Sequence, residues 1–317
     1  MILTQLPDLP PRPETPRNAE FRRRFYSCWG RENCIVSGAA RRAEYDTFRQ
    51  MLSIKTVANG REHYFVDGRR LTVTDETYLV LNEEREYGSL LEAPQEVHSF
   101  CIFFRPGMAR EVSGESRLSL SRALDAEGEP ARAPVEFAEN LRRHDKTVSP
   151  VLNFIRRHVA LGVDDAGWYE EQFNFLLARL MRNEQDTQRL LEHIDCIGAA
   201  KRRELMKRIG WATDFMHSNL QRDLSLADIA MAARLSHFHF LRVFRQVHGV
   251  TPMNYLRQQR TERALALLRS TKLEVNEIAG QVGLSRLALW RNMRDAMGEG
   301  PQQLRREFRK CHTPELV

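Results

Sequence analysis

The feature that most constrains this chain is a pattern of apolar positions that occurs twice towards its C-terminal end. From Leu226 to Gly249, Ile229, Ala230 and Ala233 mark a short helix, Arg234-Leu235-Ser236 a tight break, and His237 to Val247 a second helix. On that second helix Phe240, Val243, Phe244 and Val247 recur at i, i+3, i+4 and i+7, the interval that buries one helical face against a partner. The arrangement returns with Val275, Ile278, Ala279 and Val282, a break at Gly283-Leu284-Ser285, and a helix that turns Leu289, Met293, Ala296 and Met297 inward. Matching Ser236 to Ser285 sets the repeat at 49 positions. Two helices joined by so short a break have helix-turn-helix spacing. Between the units Thr251-Pro252 starts a long helix with Tyr255, Leu256, Ala264 and Leu268 as its apolar positions, a rigid spacer between two heads.

The outward faces carry the chemistry. In the first unit that face holds His237, Phe238, Leu241, Arg242 and Arg245; in the second it holds Arg286, Leu287, Trp290, Arg291 and Arg294. A helix that reads DNA needs one apolar side for docking and another that presents side chains to base edges in the major groove. Arg242 suits bidentate bonding to guanine O6 and N7, and Phe238 and Leu241 suit contact with thymine methyl groups. The competing reading is that Phe238 and Leu241 cover a neighbouring domain. Charge favours a polyanion partner: residues 201–317 hold 21 of the 48 Lys and Arg but 11 of the 42 Asp and Glu, +10 there against −4 before it.

A chain of 317 residues exceeds one ordinary core, so more than one domain is expected. Residues 1–24 read as a Pro-rich arm, with Pro7, Pro10, Pro11, Pro13 and Pro16 and no signal-peptide core. Strand-like runs follow at Thr47–Thr56, His63–Val66, Leu71–Thr74, Thr77–Leu81 and Val97–Phe104, with turn signals at Asn59-Gly60 and Asp67-Gly68. They place an antiparallel barrel or sandwich within residues 25–146, its end from 113 onward a loop or weakly ordered linker. Residues 147–200 are helical, with Val151, Phe154, Ile155 and Val159 on one stripe and Tyr169, Phe173, Leu176, Leu177 and Leu180 on the next; they form a hairpin or pair with a second copy. Residues 201–317 complete an α+β architecture with an all-α domain. Cys28, Cys34, Cys101, Cys196 and Cys311 form no CxxC pair, and no apolar run is long enough to span a bilayer, so a cytoplasmic protein without membrane contact is expected.

The run Leu224-Ser225-Leu226-Ala227-Asp228-Ile229-Ala230, then Leu235-Ser236, Phe240-Leu241-Arg242-Val243-Phe244-Arg245, Gly249, Thr251-Pro252, Tyr255-Leu256, Arg260 and Arg263-Ala264 resembles the DNA-binding domain of AraC/XylS-family regulators, over about residues 205–308. The resemblance implies a bipartite helix-turn-helix domain acting at a promoter, with base readers at Phe238, Leu241 and Arg242 and at Trp290 and Arg291, and with RNA polymerase as a further partner. It departs from the family at Arg234, where a turn glycine is usual, so that this turn is either reshaped or adds a phosphate contact. It departs again after Ser285, where the stretch looks one residue short and Leu289, Met293 and Met297 replace aromatic residues; softer Met packing implies a less rigid second head. The strands are similar to the cupin-like sensor barrel of such regulators, which implies a small-molecule effector in the barrel and a homodimer held by the following helices. His63, Tyr64, Tyr78 and His98 are the candidate effector-binding residues, each equally suited to an exposed or satisfied barrel position.

Other function classes stay open on the sequence alone. A metal-dependent cupin enzyme needs converging His and carboxylates. His63 and His98 stand apart, and His237-Phe238-His239 splays on a helix, so no catalytic residue, metal ligand or cofactor is expected. A thiol redox sensor would use Cys28 and Cys34 beside Arg24 and Arg31. An architectural DNA binder would need no effector at all.

Overall fold

Residues rich in β-branched and aromatic side chains fill the first half of the chain, and one sheet collects them. The structure is a computed structural model in which residues 2–4, 23, 27, 29–117, 135–192 and 199–310 are described; it divides into two units, Met1–Asp195 and Cys196–Val317.

In the first unit β1 (Ile2–Leu3), β2 (Cys34–Arg49), β3 (Ser53–Ala58), β4 (Arg61–Val66), β5 (Arg69–Thr74), β6 (Thr77–Leu81), β7 (Glu86–Phe103) and β8 (Leu141–Arg143) form a mixed sheet. Its order is β1-β2-β7-β3-β6-β8, with β1 parallel to β2 and the other pairs antiparallel. The long strand β7 serves two partners along one edge: residues 98–103 pair with β3 and residues 87–90 with β4. Register shifts between Ala40 and Arg42 and between Tyr45 and Phe48 bend the β2–β7 ribbon, as bulges do. Asp67 and Gly68 turn β4 into β5 with φ of 49° and 71°, the left-handed pair a tight hairpin requires.

Several boundaries differ from those read in the sequence. The expected strand at 47–56 is two strands broken at Gln50–Leu52, and most of β2 escapes periodicity because Arg41, Arg42, Glu44 and Asp46 lie exposed on it. The arm begins with a strand, since Ile2 and Leu3 pair with Ile35 and Val36; residues 5–22 lie outside the described residues. The expected linker, from 113 onward, begins inside α1 (Met108–Arg117), which buries Met108 and Val112, and it holds β8, where Leu141 pairs with Leu79; residues 118–134 lie outside the described residues.

The helices α2 (Ser149–Ala160) and α3 (Ala166–Glu192) cover one face of the sheet. Val151, Ile155, Val159, Phe173, Leu176 and Leu180 pack with Ile35, Ile54, Phe100 and Ile102, so the apolar stripe is intramolecular core. Phe154 is the exception: it is 45% exposed and packs edge-on to His158 at 4.3 Å. The opposite face of the sheet has its own core, with Val57, Tyr64, Leu79, Tyr87 and Val97 buried together.

Among the described residues the second unit has helices and no strand: α4 (Ala199–Ser218), α5 (Leu226–Ala232), α6 (His237–His248), α7 (Pro252–Ser270), α8 (Val275–Gln281), α9 (Arg286–Met297) and α10 (Pro301–Lys310). Two cores form along it. Ile209, Ala212 and Met216 of α4 pack with Ile229, Ala230, Phe240, Val243 and Phe244, and with Leu256 from the start of α7. Ala264, Leu267 and Leu268 from the end of α7 pack with Ile278, Ala279, Leu289, Met293 and Leu304. One 19-residue helix, about 28 Å long at 1.5 Å per residue, therefore supports both heads.

Candidate nucleic-acid interface and an internal cavity

Local rules repeat through both heads. Ser225 caps α5 in a capping box with Asp228, and 49 positions on Glu274 caps α8 in a capping box with Glu277. Gly249 and Gly298 end α6 and α9 in the left-handed conformation, with φ of 72° and 79°. Helix bounds, caps and the prolines at 252 and 301 all keep the same offset, so the second head lacks no residue relative to the first.

The turns explain the unexpected arginine. Arg234 and Gly283 are matched positions, both left-handed, at φ 53° and 68°. After each, the chain closes in the same way: the Leu235 amide donates to the Ala230 carbonyl at 3.1 Å and the Leu284 amide to the Ala279 carbonyl at 2.9 Å. The turn at Arg234 is thus not reshaped. Its guanidinium lies 5.1 Å from the Trp211 ring centroid and its carbonyl accepts from Arg208, contacts that offset the strain of a non-glycine residue there. Gly283 has no such freedom, because a Cβ would stand 2.6 Å from the Leu220 carbonyl oxygen.

With Phe240, Val243 and Phe244 buried, α6 turns His237, Phe238, Leu241, Arg242 and Arg245 outward. Phe238 is 89% exposed at the first turn, and among the described residues neither Arg242 nor Arg245 has an intramolecular partner. On α9 the outward set is Arg286, Leu287, Trp290, Arg291 and Arg294. Trp290 differs from a free reading side chain. Arg294 lies 5.0 Å from its ring, and its indole edge packs so closely on Gly300 that a Cβ there would approach within 2.7 Å. Ala296 and Met297, expected inward, are exposed; α9 runs past the core at its last turn, and only Leu289 and Met293 are buried.

A family model described as a helix-turn-helix domain matches residues 229–307. The second unit carries an AraC-type helix-turn-helix domain. The Msm operon regulatory protein of Streptococcus mutans is 31% identical over 94 residues, 29% of this chain and 34% of the relative. The XylDLEGF operon transcriptional activator of Pseudomonas putida is 32% identical over 102 residues, 30% of this chain and 31% of the relative. The chain thus spans about a third of the length of these curated relatives. A solved DNA-binding domain of AdpA in complex with a target DNA is 27% identical, covers 33% of this chain and 96% of its own, and has a TM-score of 0.33.

Outside the AraC-type domain, the first unit has an open cavity of about 50 Å³ on the sheet face away from α2 and α3. Of the four residues proposed from sequence as effector contacts, Tyr64 alone lines it. His63 lies outside, bonded to Thr72 at 3.0 Å and Arg70 at 2.7 Å; partial burial and the Arg70 charge bring its pKa down to about 4. Tyr78 faces the helix-covered core and donates to Asp145, and His98 pairs with Ser37. Sequence reasoning missed Lys55, Glu62, Tyr87, Ser99 and Cys101, which line the cavity. A lysine between Ile54 and Val57 in a strand-like run was the available signal.

The cysteine reading changes too. Cys34 and Cys101 are buried, neither in a disulfide, so Cys34 is not the exposed thiol a redox sensor needs; burial also raises the Cys101 thiol pKa. Cys28 lies outside the described residues. Among the described residues no three His, Cys, Asp or Glu side chains gather as a metal site, and no helix is long and apolar enough to cross a membrane.

Proposed function

We propose that this protein is a cytoplasmic, sequence-specific transcription regulator in which α6 and α9 enter successive major grooves of promoter DNA and the first unit binds a small-molecule effector. The observation that carries it is the exposure of Phe238 beside Arg242 and Arg245, which have no intramolecular partner among the described residues, on a helix whose other face is buried, with Leu287, Arg291 and Arg294 exposed at the same spacing on α9. Large apolar side chains among arginines are costly on an inert surface and suited to a groove of base edges and phosphates. Two heads on one face reach grooves about 34 Å apart. Arg242 reads guanine, Leu241 and Phe238 contact thymine methyls, and Leu287 and Arg291 take the matching places in the second groove. Trp290, pinned on Gly300, presents a fixed edge.

The sheet of the first unit acts as a cupin-like effector domain. The effector must prefer one arrangement of the protein over another, or it changes nothing. Two copies associate through the exposed side of α2 and α3, where Phe154, Leu161 and Phe175 are uncovered; a monomer in sedimentation equilibrium would remove this element. On a promoter the bound dimer contacts RNA polymerase and activates, the role printed in the name of the Pseudomonas putida relative.

The deciding experiment is selection of genomic fragments by the full-length protein at physiological salt. One enriched motif with two half-sites about a helical turn apart supports the reading. Retention without a motif, abolished by salt, makes the protein an architectural binder instead. Arg242→Ala should cost roughly 1 to 3 kcal/mol at one base position and relax specificity there; equal losses on cognate and random DNA remove its reading role.

A further inference from the structure

Lys55 is a charge with no hydrogen bond or ion pair among the described residues, in a place where charges are expensive. It sits mid-strand on β3, directly across from Cys101 on β7, and is 2% exposed. Its ammonium lies 3.7 Å from the ring centroid of Phe103, 5.0 Å from that of Tyr87 and 6.0 Å from that of Tyr64. No hydrogen bond or ion pair holds it among the described residues. Its polar neighbours are already engaged with one another. Ser99 donates to Glu62 at 2.8 Å, the Tyr64 hydroxyl lies against the same carboxylate, and the Tyr87 hydroxyl donates to Gln50 at 2.7 Å. A buried ammonium lacking hydrogen-bond acceptors is unstable in water-excluded surroundings unless something supplies them. Here the ammonium lines an open cavity.

We infer that the cavity of the first unit binds a compact organic carboxylate, its anionic head on Lys55 and its apolar body among Tyr64, Tyr87, Phe103 and Trp29. This deepens the effector reading above and rests on it for its regulatory meaning, not for binding itself. The polarity of the site decides the charge of the ligand: the carboxylate in the wall, Glu62, is satisfied, while the cation is not. A cationic ligand would face Lys55 with like charge. Size follows from the volume: at about 10 to 15 Å³ each, about four water-sized groups fit, so even a small carboxylic acid requires the half-buried Trp29, Tyr45 and Phe48 at the rim to move outward.

Protonation gives a second handle. Burial lowers the Lys55 pKa to about 8, against partial compensation by Cys101 on β7, Glu62 on β4 and Cys34 on β2; Tyr64 and Tyr87, which also face it, have pKa values raised by burial and stay neutral. Below about pH 8 the ammonium is ready to receive a carboxylate. Above it the ligand must bring a proton with it, so affinity should fall by about tenfold per pH unit until the pKa of the complex is reached.

The probes are isobutyrate and benzoate, with isobutyramide and benzamide as uncharged matches, titrated calorimetrically into the full-length protein without DNA at pH 7 and pH 9. At least one carboxylate should bind more tightly than its amide, and more weakly at pH 9. Lys55→Met, of similar volume, should keep or raise the melting temperature of the ligand-free protein and weaken that carboxylate by about 10- to 100-fold. Equal binding of amide and acid, binding unchanged in Lys55→Met, or no response to either carboxylate would overturn the inference. Should Lys55→Met not fold, the pH comparison on the unaltered chain still decides. Failure of the regulator reading is a separate result: carboxylate binding that leaves fragment selection unchanged removes effector control and keeps the site, whereas a DNA motif without any carboxylate response removes the site alone.

Discussion

Replacing Gly283 by alanine tests whether the two heads obey the same backbone logic under different packing. Gly283 holds φ at +68°, and its missing Cβ would stand 2.6 Å from the Leu220 carbonyl oxygen and 2.8 Å from that of Gln221. An L-residue in the left-handed region costs roughly 1 to 2 kcal/mol, and forcing an atom into filled space adds roughly 1 to 3, so the substitution should cost about 2 to 5 kcal/mol locally. Backbone oxygens of a neighbouring loop cannot swing aside as a side chain can. The matched change, Arg234→Gly, should be nearly neutral: it releases the strain of φ 53° but loses the Trp211 contact and frees the unfolded chain. These contributions are each about 1 kcal/mol and oppose one another. Hydrogen exchange by mass spectrometry on the full chain reads both sites, since the Leu284 and Leu235 amides close the two turns. Peptides across α8 and α9 in Gly283→Ala should exchange at least about 30-fold faster, with α5 and α6 little changed in Arg234→Gly. Equal protection in the two variants would refute the reasoning.

Phe238→Ala should leave the melting temperature within about 1 °C, since an exposed side chain contributes little to the fold, and still weaken operator binding severalfold in a gel-shift titration; unchanged affinity would return Phe238 to an inert surface. Acid should loosen the first head through His248, whose ring packs tilted against Phe244 at 4.3 Å and Tyr255 at 4.9 Å and whose pKa burial lowers from 6.5 to about 4. The unfolded chain binds the proton first, so stability from the neutral ring is complete above pH 6.5 and declines as pH falls towards 4. Protection factors in α6 and α7, the observed rates corrected for the slower intrinsic exchange at lower pH, should therefore fall between pH 7 and 5, and His248→Gln should abolish that fall; an identical fall in the variant would exclude His248 as the cause.

Local interactions made the helical half readable. Phe240, Val243 and Phe244 meet because they lie three and four positions apart, Ser225 caps the helix that begins beside it, and Gly249 ends the helix before it. Each of these facts is contained in a few consecutive residues, and so is the outward set from His237 to Arg245. The left-handed Arg234 is legible only in part: its position in the turn follows from the repeat, but the Trp211 ring that offsets its strain comes from another helix.

In the sheet the physics runs the other way. Strand alternation marks where β4, β5 and β6 run, yet β2 hides in polar residues because its pairing with β7, some fifty residues on, supplies the stability that its own pattern lacks. The same distance hides the cavity. Lys55, Glu62, Tyr87 and Cys101 are unremarkable one by one, and only the pairing of β3 and β4 with different halves of β7 brings them to one space and leaves the ammonium without an acceptor. Periodicity over a turn or two determined two helices with one buried face and one exposed, arginine-bearing face. Register between distant strands, which no local window contains, decided which side chains line the cavity of the other half.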